Sequence, residues 1–268
     1  MPTRLDQIVA ATRRRVAEAR PMADLRELER RAQAHVPRGF RRMLEARSHA
    51  GPAIIAELKK ASPSRGLIRA DFDAAQLAKE LENAGAAALS VLTDEEFFQG
   101  SLENLRLASA NTKLACLRKD FIVDEFQLLE ALASGADAIL LIVAALSRAE
   151  LVGLAMQSRG YGLDVLCEVH DHEELQRALE AGCNLIGVNN RDLRTFEVSL
   201  ETALNLAGAI PQNVVRVAES GIKNPADIAK LRAAGYHAFL IGESLMKAEN
   251  PGETLRTLLS ATTPVARN

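Results

Sequence analysis

The chain has 268 residues, 48% hydrophobic and 25% charged, with a formal net charge of −2. That balance excludes a chain dominated by disorder and leaves no global field to draw it to nucleic acid or a membrane surface. Aromatic residues are only 4% with no Trp, too few for a base-stacking platform.

Residues 1–50 read as a helical extension: "RLDQIVAATRRRVAEAR" and "DLRELERRAQA" are amphipathic helix patterns, and "GFRRMLEA" suggests a third. The arginine run in the first is read as a solvated helix face rather than a nucleic-acid arm. The N-terminus lacks the uninterrupted apolar stretch of a secretion signal, and the longest apolar run, "AILLIVAAL", is too short to span a bilayer. A cytoplasmic protein is expected. Cys116, Cys167 and Cys183 are widely spaced among apolar residues, so reduced core thiols are expected rather than a disulfide or a metal site.

From residue 51 onward one phrase recurs: "NAGAAALSV", "ASGADAILL", "EAGCNLIGV" and "AAGYHAFLI". Each closes a helix pattern on glycine and runs into an apolar strand. Gly85, Gly135, Gly182 and Gly235 stand 50, 47 and 53 residues apart, about twice the length of one strand–helix unit. The interposed strands are "AIIAEL" (53–58), "KLACLRK" (113–119), "DVLCEV" (164–169) and "VVRVAES" (214–220). Between strands lie helix starts at Asp71, Ser101, Asp124, Ser147, Asp171, Ser199 and Asn224, the last followed by Pro225. Eight apolar strands alternating with helices imply a closed parallel (βα)8 TIM barrel over 51–268, with residues 1–50 packed on it as one structural domain.

Active sites of such barrels lie at the C-terminal ends of the strands. Strand one ends in Glu57 and Lys59, which share a face because side chains alternate. Strand three ends in Lys119, strand five nearly ends in Glu168, and strand seven ends in Glu219 and Ser220. Asn189 and Arg191 close strand six at like parity. One charge at a strand end is ordinary solvation, but this many converging on one mouth can shift each other's pKa values toward catalytic use. The loops "ESGIKNPAD" and "GESLM" follow strands seven and eight, where this fold frequently binds phosphate, and Gly221 and Gly242 permit close backbone approach. With no Walker A or dinucleotide fingerprint, a phosphorylated metabolite is favoured over a nucleotide. The polar stretch 60–70 reads as either a lid or a plain connector. His170 and His172 read as polar loop and cap residues, not metal ligands.

These motifs resemble the indole-3-glycerol phosphate synthase family of tryptophan biosynthesis. "IIAELKKASPSRG", "LRKDFIVDEFQ", "LCEVHDHEEL", "IGVNNRDLRTFEV", "AESGI" and "FLIGESLM" are similar to its signature segments, in order, across essentially the whole chain. The resemblance implies ring closure of 1-(o-carboxyphenylamino)-1-deoxyribulose 5-phosphate, with loss of carbon dioxide and water. It implies Lys119 as general acid in ring closure and Glu168 as the base-side carboxylate. Lys59 would hold the substrate carboxylate, serving as an acid in dehydration with Glu57 as its partner; which lysine serves which step stays open. Asn189, Ser220, Glu219 and Arg191 would orient the substrate, with Phe121 and Leu240 flanking its aromatic ring. Ser62, Gly221, Gly242 and the Glu243 amide would hold the phosphate. No cofactor and no metal are implied. The partner is a phosphorylated small molecule, with no nucleic acid and no membrane; a monomer is expected, with a homodimer as the alternative. A phosphosugar isomerase barrel and a non-catalytic metabolite-binding protein remain as other readings.

Overall fold

The computed structural model describes residues 3–192 and 195–260. Eight parallel strands close into a barrel: β1 (Ala53–Leu58), β2 (Ala88–Leu92), β3 (Cys116–Lys119), β4 (Ala138–Ile142), β5 (Asp164–Val169), β6 (Leu185–Asn189), β7 (Val215–Glu219) and β8 (Ala238–Ile241). Each strand pairs with its sequence neighbours, and β1 closes on β8 with Ala53 opposite Ala238.

Three helices precede the barrel: α1 (Arg4–Ala19), α2 (Leu25–Ala34) and α3 (Phe40–Ala50). The main helices of the outer layer are α4 (Ala74–Asn83), α5 (Leu102–Ala110), α6 (Phe126–Ala133), α7 (Arg148–Gly160), α8 (His172–Glu180), α9 (Glu201–Leu206) and α10 (Pro225–Ala233). After β8 come the short α11 (Glu243–Lys247) and α12 (Pro251–Ser260). Ser147 and Asn224 form reciprocal capping boxes, and Ser101 and Asp171 cap α5 and α8 as expected. The cap of α4 is Asp73, not Asp71: the side chain of Asp73 accepts from the Gln76 N–H, while Asp71 pairs with Arg69.

The recurring glycine has a single physical reason. Gly85, Gly135, Gly182 and Gly235 all have left-handed backbones, with φ from 75° to 96°. At each, the next N–H reaches back to a carbonyl of the helix, as from Ala136 to Ala131 at 2.9 Å and from Tyr236 to Leu231 at 3.1 Å. That pattern ends a helix and turns the chain straight into an even-numbered strand.

Two cores result from the alternation of side chains. One lies between the sheet and the helix layer; the other fills the lumen with Ile55, Leu117, Leu140, Leu166, Val217 and their neighbours. Phe40 and Leu44 of α3 are fully buried and belong to the lumen core. The extension therefore plugs the lower end of the barrel as well as packing on its side. It is tied down by charge: Asp137, just before β4, accepts from the Arg38 backbone at 2.7 Å and from the Arg38 guanidinium, while Arg15 of α1 reaches Asp94 at 3.1 Å and Asp120 at 3.4 Å.

Cys167 and Cys183 correct an expectation. They form a disulfide with Cα atoms 6.5 Å apart, while Cys116 is free and buried. Strand β5 lies beside β6, with Cys167 opposite Ile186, so the turn into β6 brings Cys183 against it on the helix side of the sheet. Among the described residues no helix is long and apolar enough to cross a membrane.

Candidate active site

The charged residues sit at the barrel mouth because the same face that is apolar inside the lumen ends in water. Ile55, Leu117, Leu166 and Val217 are buried there, and two residues further on the same faces come Glu57, Lys119, Glu168 and Glu219. Lys119 Nζ donates to Glu168 Oε2 at 3.0 Å and lies 3.6 Å from Glu219 Oε2. Asn189 Nδ2 donates to Glu168 Oε1 at 3.0 Å. Lys59 Nζ donates to Glu57 Oε1, so the pair at the end of β1 is a contact ion pair. Gly187 on β6 makes room for this cluster, since a Cβ there would overlap Glu219 Oε1.

Burial and charge pull the members apart. Burial disfavours the charged form of Lys119, but Glu168, Glu219 and Glu57 outweigh it and raise its pKa, so its proton is present at neutral pH. Burial would protonate Glu168, yet Lys119, His170 and Asn189 hold it well below the usual carboxylate range. Glu219 goes the other way: burial, opposed by Lys119 and reinforced by Glu168 and Glu57, pushes it up to about 8. Two neighbouring carboxylates thus differ in protonation at neutral pH.

The loops complete the mouth. Ser220 and Gly221 both adopt left-handed backbones, at φ 64° and 79°. Ser220 has a Cβ, so the conformation costs about 1–3 kcal/mol and has to be held in place. Asn190 holds it, donating to the carbonyls of Glu219 at 3.0 Å and Ser220 at 3.1 Å. The segment after β1 is more than a connector: Ala61–Ser62 pairs antiparallel with Gly66–Leu67, and the Lys60 carbonyl accepts from Ile68 at 2.8 Å. Arg65 at its tip reaches 3.2 Å to Glu243, whose carboxylate also accepts from Lys247 at 2.6 Å and lies 4.0 Å from Arg191. Burial notwithstanding, Lys247, Arg65 and Lys59 lower the pKa of Glu243.

One cavity of about 570 Å³ is lined by all of the residues singled out from the sequence: Glu57, Lys59, Ser62, Lys119, Phe121, Glu168, Asn189, Arg191, Glu219, Ser220, Gly221, Leu240, Gly242 and Glu243. Phe121 stands 6.3 Å, ring centre to ring centre, from Phe98, and both rings line the cavity. Leu193 and Arg194, in the loop after β6, lie outside the described residues.

The family model for indole-3-glycerol phosphate synthase matches residues 5–258. The chain belongs to the indole-3-glycerol phosphate synthase family. It is 59% identical over 259 residues to a protein of that name from Koribacter versatilis, covering 97% of this chain and 100% of the other. It is 49% identical to another from a Polaromonas species, covering 95% and 97%. The family's activity is that of a carboxy-lyase forming indole-3-glycerol phosphate in tryptophan biosynthesis. More distant solved structures share the fold only: a Pyrococcus furiosus thiamine phosphate pyrophosphorylase at 16% identity and TM-score 0.57, covering 79% of this chain and 95% of that one, and a mandelate oxidase variant at 19% and 0.61, covering 77% and 71%.

Several residues at the site escaped the sequence reading. Arg4, Leu5 and Ile8 of α1 line the cavity, and nothing in an amphipathic helix pattern says which barrel end it covers. His170, read as a loop residue, packs 3.5 Å from Glu168 Oε1. Its position two residues after Glu168 was the available signal, the same spacing that links Glu57 to Lys59. Among the described residues, no group of three or more His, Cys, Asp or Glu is arranged to hold a metal ion.

Proposed function

We propose that this mouth closes the indole ring by lysine and glutamate acid–base catalysis. The observation that carries the reading is Lys119, a protonated amine set between Glu168 and Glu219 above an apolar floor. In ring closure the aromatic carbon ortho to nitrogen attacks the ketone carbon of the ribulose chain. The carbonyl oxygen becomes an alkoxide and takes a proton from Lys119 Nζ. The ring carbon that formed the bond then loses its carboxylate as carbon dioxide. Loss of the new hydroxyl as water needs a second proton donor, assigned to Lys59, while Glu168, kept ionised, takes a proton from the methylene carbon beside the nitrogen, which creates the double bond of the five-membered indole ring. Glu57 holds Lys59 in place by their contact, close to where the substrate carboxylate would sit.

The substrate's remaining parts suit the remaining walls. Phe121 and Leu240 flank the aromatic ring, and Asn189, Arg191, Glu219 and Ser220 orient the carboxyphenylamino chain. The phosphate is assigned to Ser62, Gly221, Gly242 and the Glu243 amide, at the loops after β7 and β8. A cytoplasmic location goes with a phosphorylated biosynthetic intermediate as substrate.

The test separates chemistry from binding. Glu168→Gln keeps the shape and removes the charge, so turnover should collapse with substrate affinity little changed. Steep loss of affinity with intact turnover would make Glu168 a binding residue and overturn the assignment.

A further inference from the structure

Between Glu168 and helix α8 lies a side chain that the mechanism above does not use. His170 follows β5 directly, and its ring is only 14% exposed. Its Nδ1 lies 2.9 Å from Glu174 Oε2, an oxygen that also accepts the His170 backbone N–H at 2.8 Å. Glu174 is itself fixed in the first turn of α8, its N–H donating to the capping Asp171 at 2.8 Å. On the other side of the ring, Nε2 is buried, has no hydrogen-bond partner, and stands 3.5 Å from Glu168 Oε1.

This arrangement constrains the ring's charge. A neutral imidazole has one N–H and one lone pair. Whichever nitrogen carried the proton, the lone pair of the other would face a carboxylate oxygen. Only the imidazolium offers an N–H to both. Of the groups facing this pair from neighbouring elements, Glu219 on β7 is pushed up to about 8 and holds its proton at neutral pH. Asn189 on β6 is neutral and donates to Glu168 Oε1, and Lys119 on β3 is a cation placed on the other oxygen of Glu168.

We propose that His170 is a positioning residue, an imidazolium clamped by Glu174, which keeps Glu168 ionised and aimed into the cavity. The proposal rests on Glu168 being the base-side carboxylate. Its function requires no proton transfer from the ring: a fixed cation beside a base favours the ionised base and limits its rotation. The same geometry shifts the ring itself. Burial lowers the histidine's pKa, but Glu168 and Glu174 more than reverse this and push it up to about 10.

Two measurements test the assignment. Histidine ring ¹⁵N spectra of the full chain, with the His170 signal identified by its loss in His170→Gln, should show both ring nitrogens protonated at pH 8. A midpoint near the ordinary ~6.5 would overturn the imidazolium. The second is the pH profile of kcat for His170→Gln and for Glu174→Gln, which leaves the ring in place if the first variant folds poorly. Removing the cation, or its anchor, should move the acid limb upward by about one pH unit, with activity recovering at higher pH and KM little changed. A uniform loss at every pH, or an unmoved limb, would reduce His170 to a structural residue. Glu168→Gln separates the two claims: wild-type turnover there would remove Glu168 as base, while the ¹⁵N result would still decide the charge on the ring.

Discussion

Replacing Lys119 by Met keeps the unbranched stem and removes the ammonium. The direct interactions lost are the charge pair with Glu168 at 3.0 Å and the contact with Glu219 at 3.6 Å. At an effective dielectric of about 20, the pair with Glu168 is worth about 5 kcal/mol before desolvation is counted. Desolvation offsets most of that, and breaking a buried pair costs about 3–5 kcal/mol in practice because a charge is stranded. Here the stranded charge has a remedy: Glu168 can take up a proton that it refuses beside Lys119. The sign follows. In wild type, Glu168 stays ionised at pH values well below those of an unfolded glutamate, so its contribution is constant from pH 5 to 8. In the variant, the folded state would bind a proton that the unfolded chain does not, and stability falls as pH rises. The melting temperature should therefore drop modestly at pH 5 and further at pH 8. Turnover should fall by about 10²–10⁴ at either pH, the scale of a positioned acid, or about 3–5 kcal/mol of barrier. Stopped assays of indole product with purified, folded Lys119→Met would measure it. Turnover close to wild type in a folded variant would refute the acid assignment.

Other substitutions probe separate parts of the site. Gly242→Ala would set a Cβ 2.9 Å from Glu57 Cβ and Cδ and onto its Oε1, so it should impair kcat through the Glu57–Lys59 pair as well as weakening phosphate binding. Weakened affinity with kcat intact would show that Glu57 can move aside at no cost. Glu219→Gln removes a group whose raised pKa makes the folded state hold a proton between about 4.5 and about 8. Wild type should lose thermal stability relative to this variant as pH rises through that window, and a constant difference would contradict the shift. A substrate analogue lacking phosphate should bind far more weakly, as isothermal titration would show; equal affinity would remove phosphate from the loops after β7 and β8.

Much of this was legible in the sequence because barrel geometry is written in two periods. Four glycine-closed helices running into apolar strands gave half the barrel, and residues of alternating direction on the odd strands placed Glu57, Lys119, Glu168 and Glu219 on one mouth. What escaped depends on contacts between distant segments. A carboxylate at Asp71 is as good a cap in sequence as Asp73; the loop geometry around Arg69 decides between them. The pairing of Cys167 with Cys183 follows from the adjacency of β5 and β6, which composition and spacing do not express. Phe40 and Leu44 look like any apolar face of a short helix until the open lower end of the lumen supplies their partners. His170 reads as a polar loop residue because it stands at the start of a helix with Asp171 between it and His172, and the contact that fixes it, to Glu174 in the next helix, is not visible in that pattern.

The central claim is that this chain makes an indole, and the protein's own composition provides a quiet background for seeing it. It has no Trp and only two tyrosines, Tyr161 and Tyr236, so excitation where tyrosine scarcely absorbs leaves the enzyme nearly dark. The measurement is fluorescence on mixing purified chain with 1-(o-carboxyphenylamino)-1-deoxyribulose 5-phosphate. Indole emission should grow in proportion to product formed and be strongly suppressed in the Lys119→Met variant. With folded protein and authentic substrate confirmed, persistent absence of that emission would contradict the account, since neither an isomerase nor a passive binder creates the indole ring.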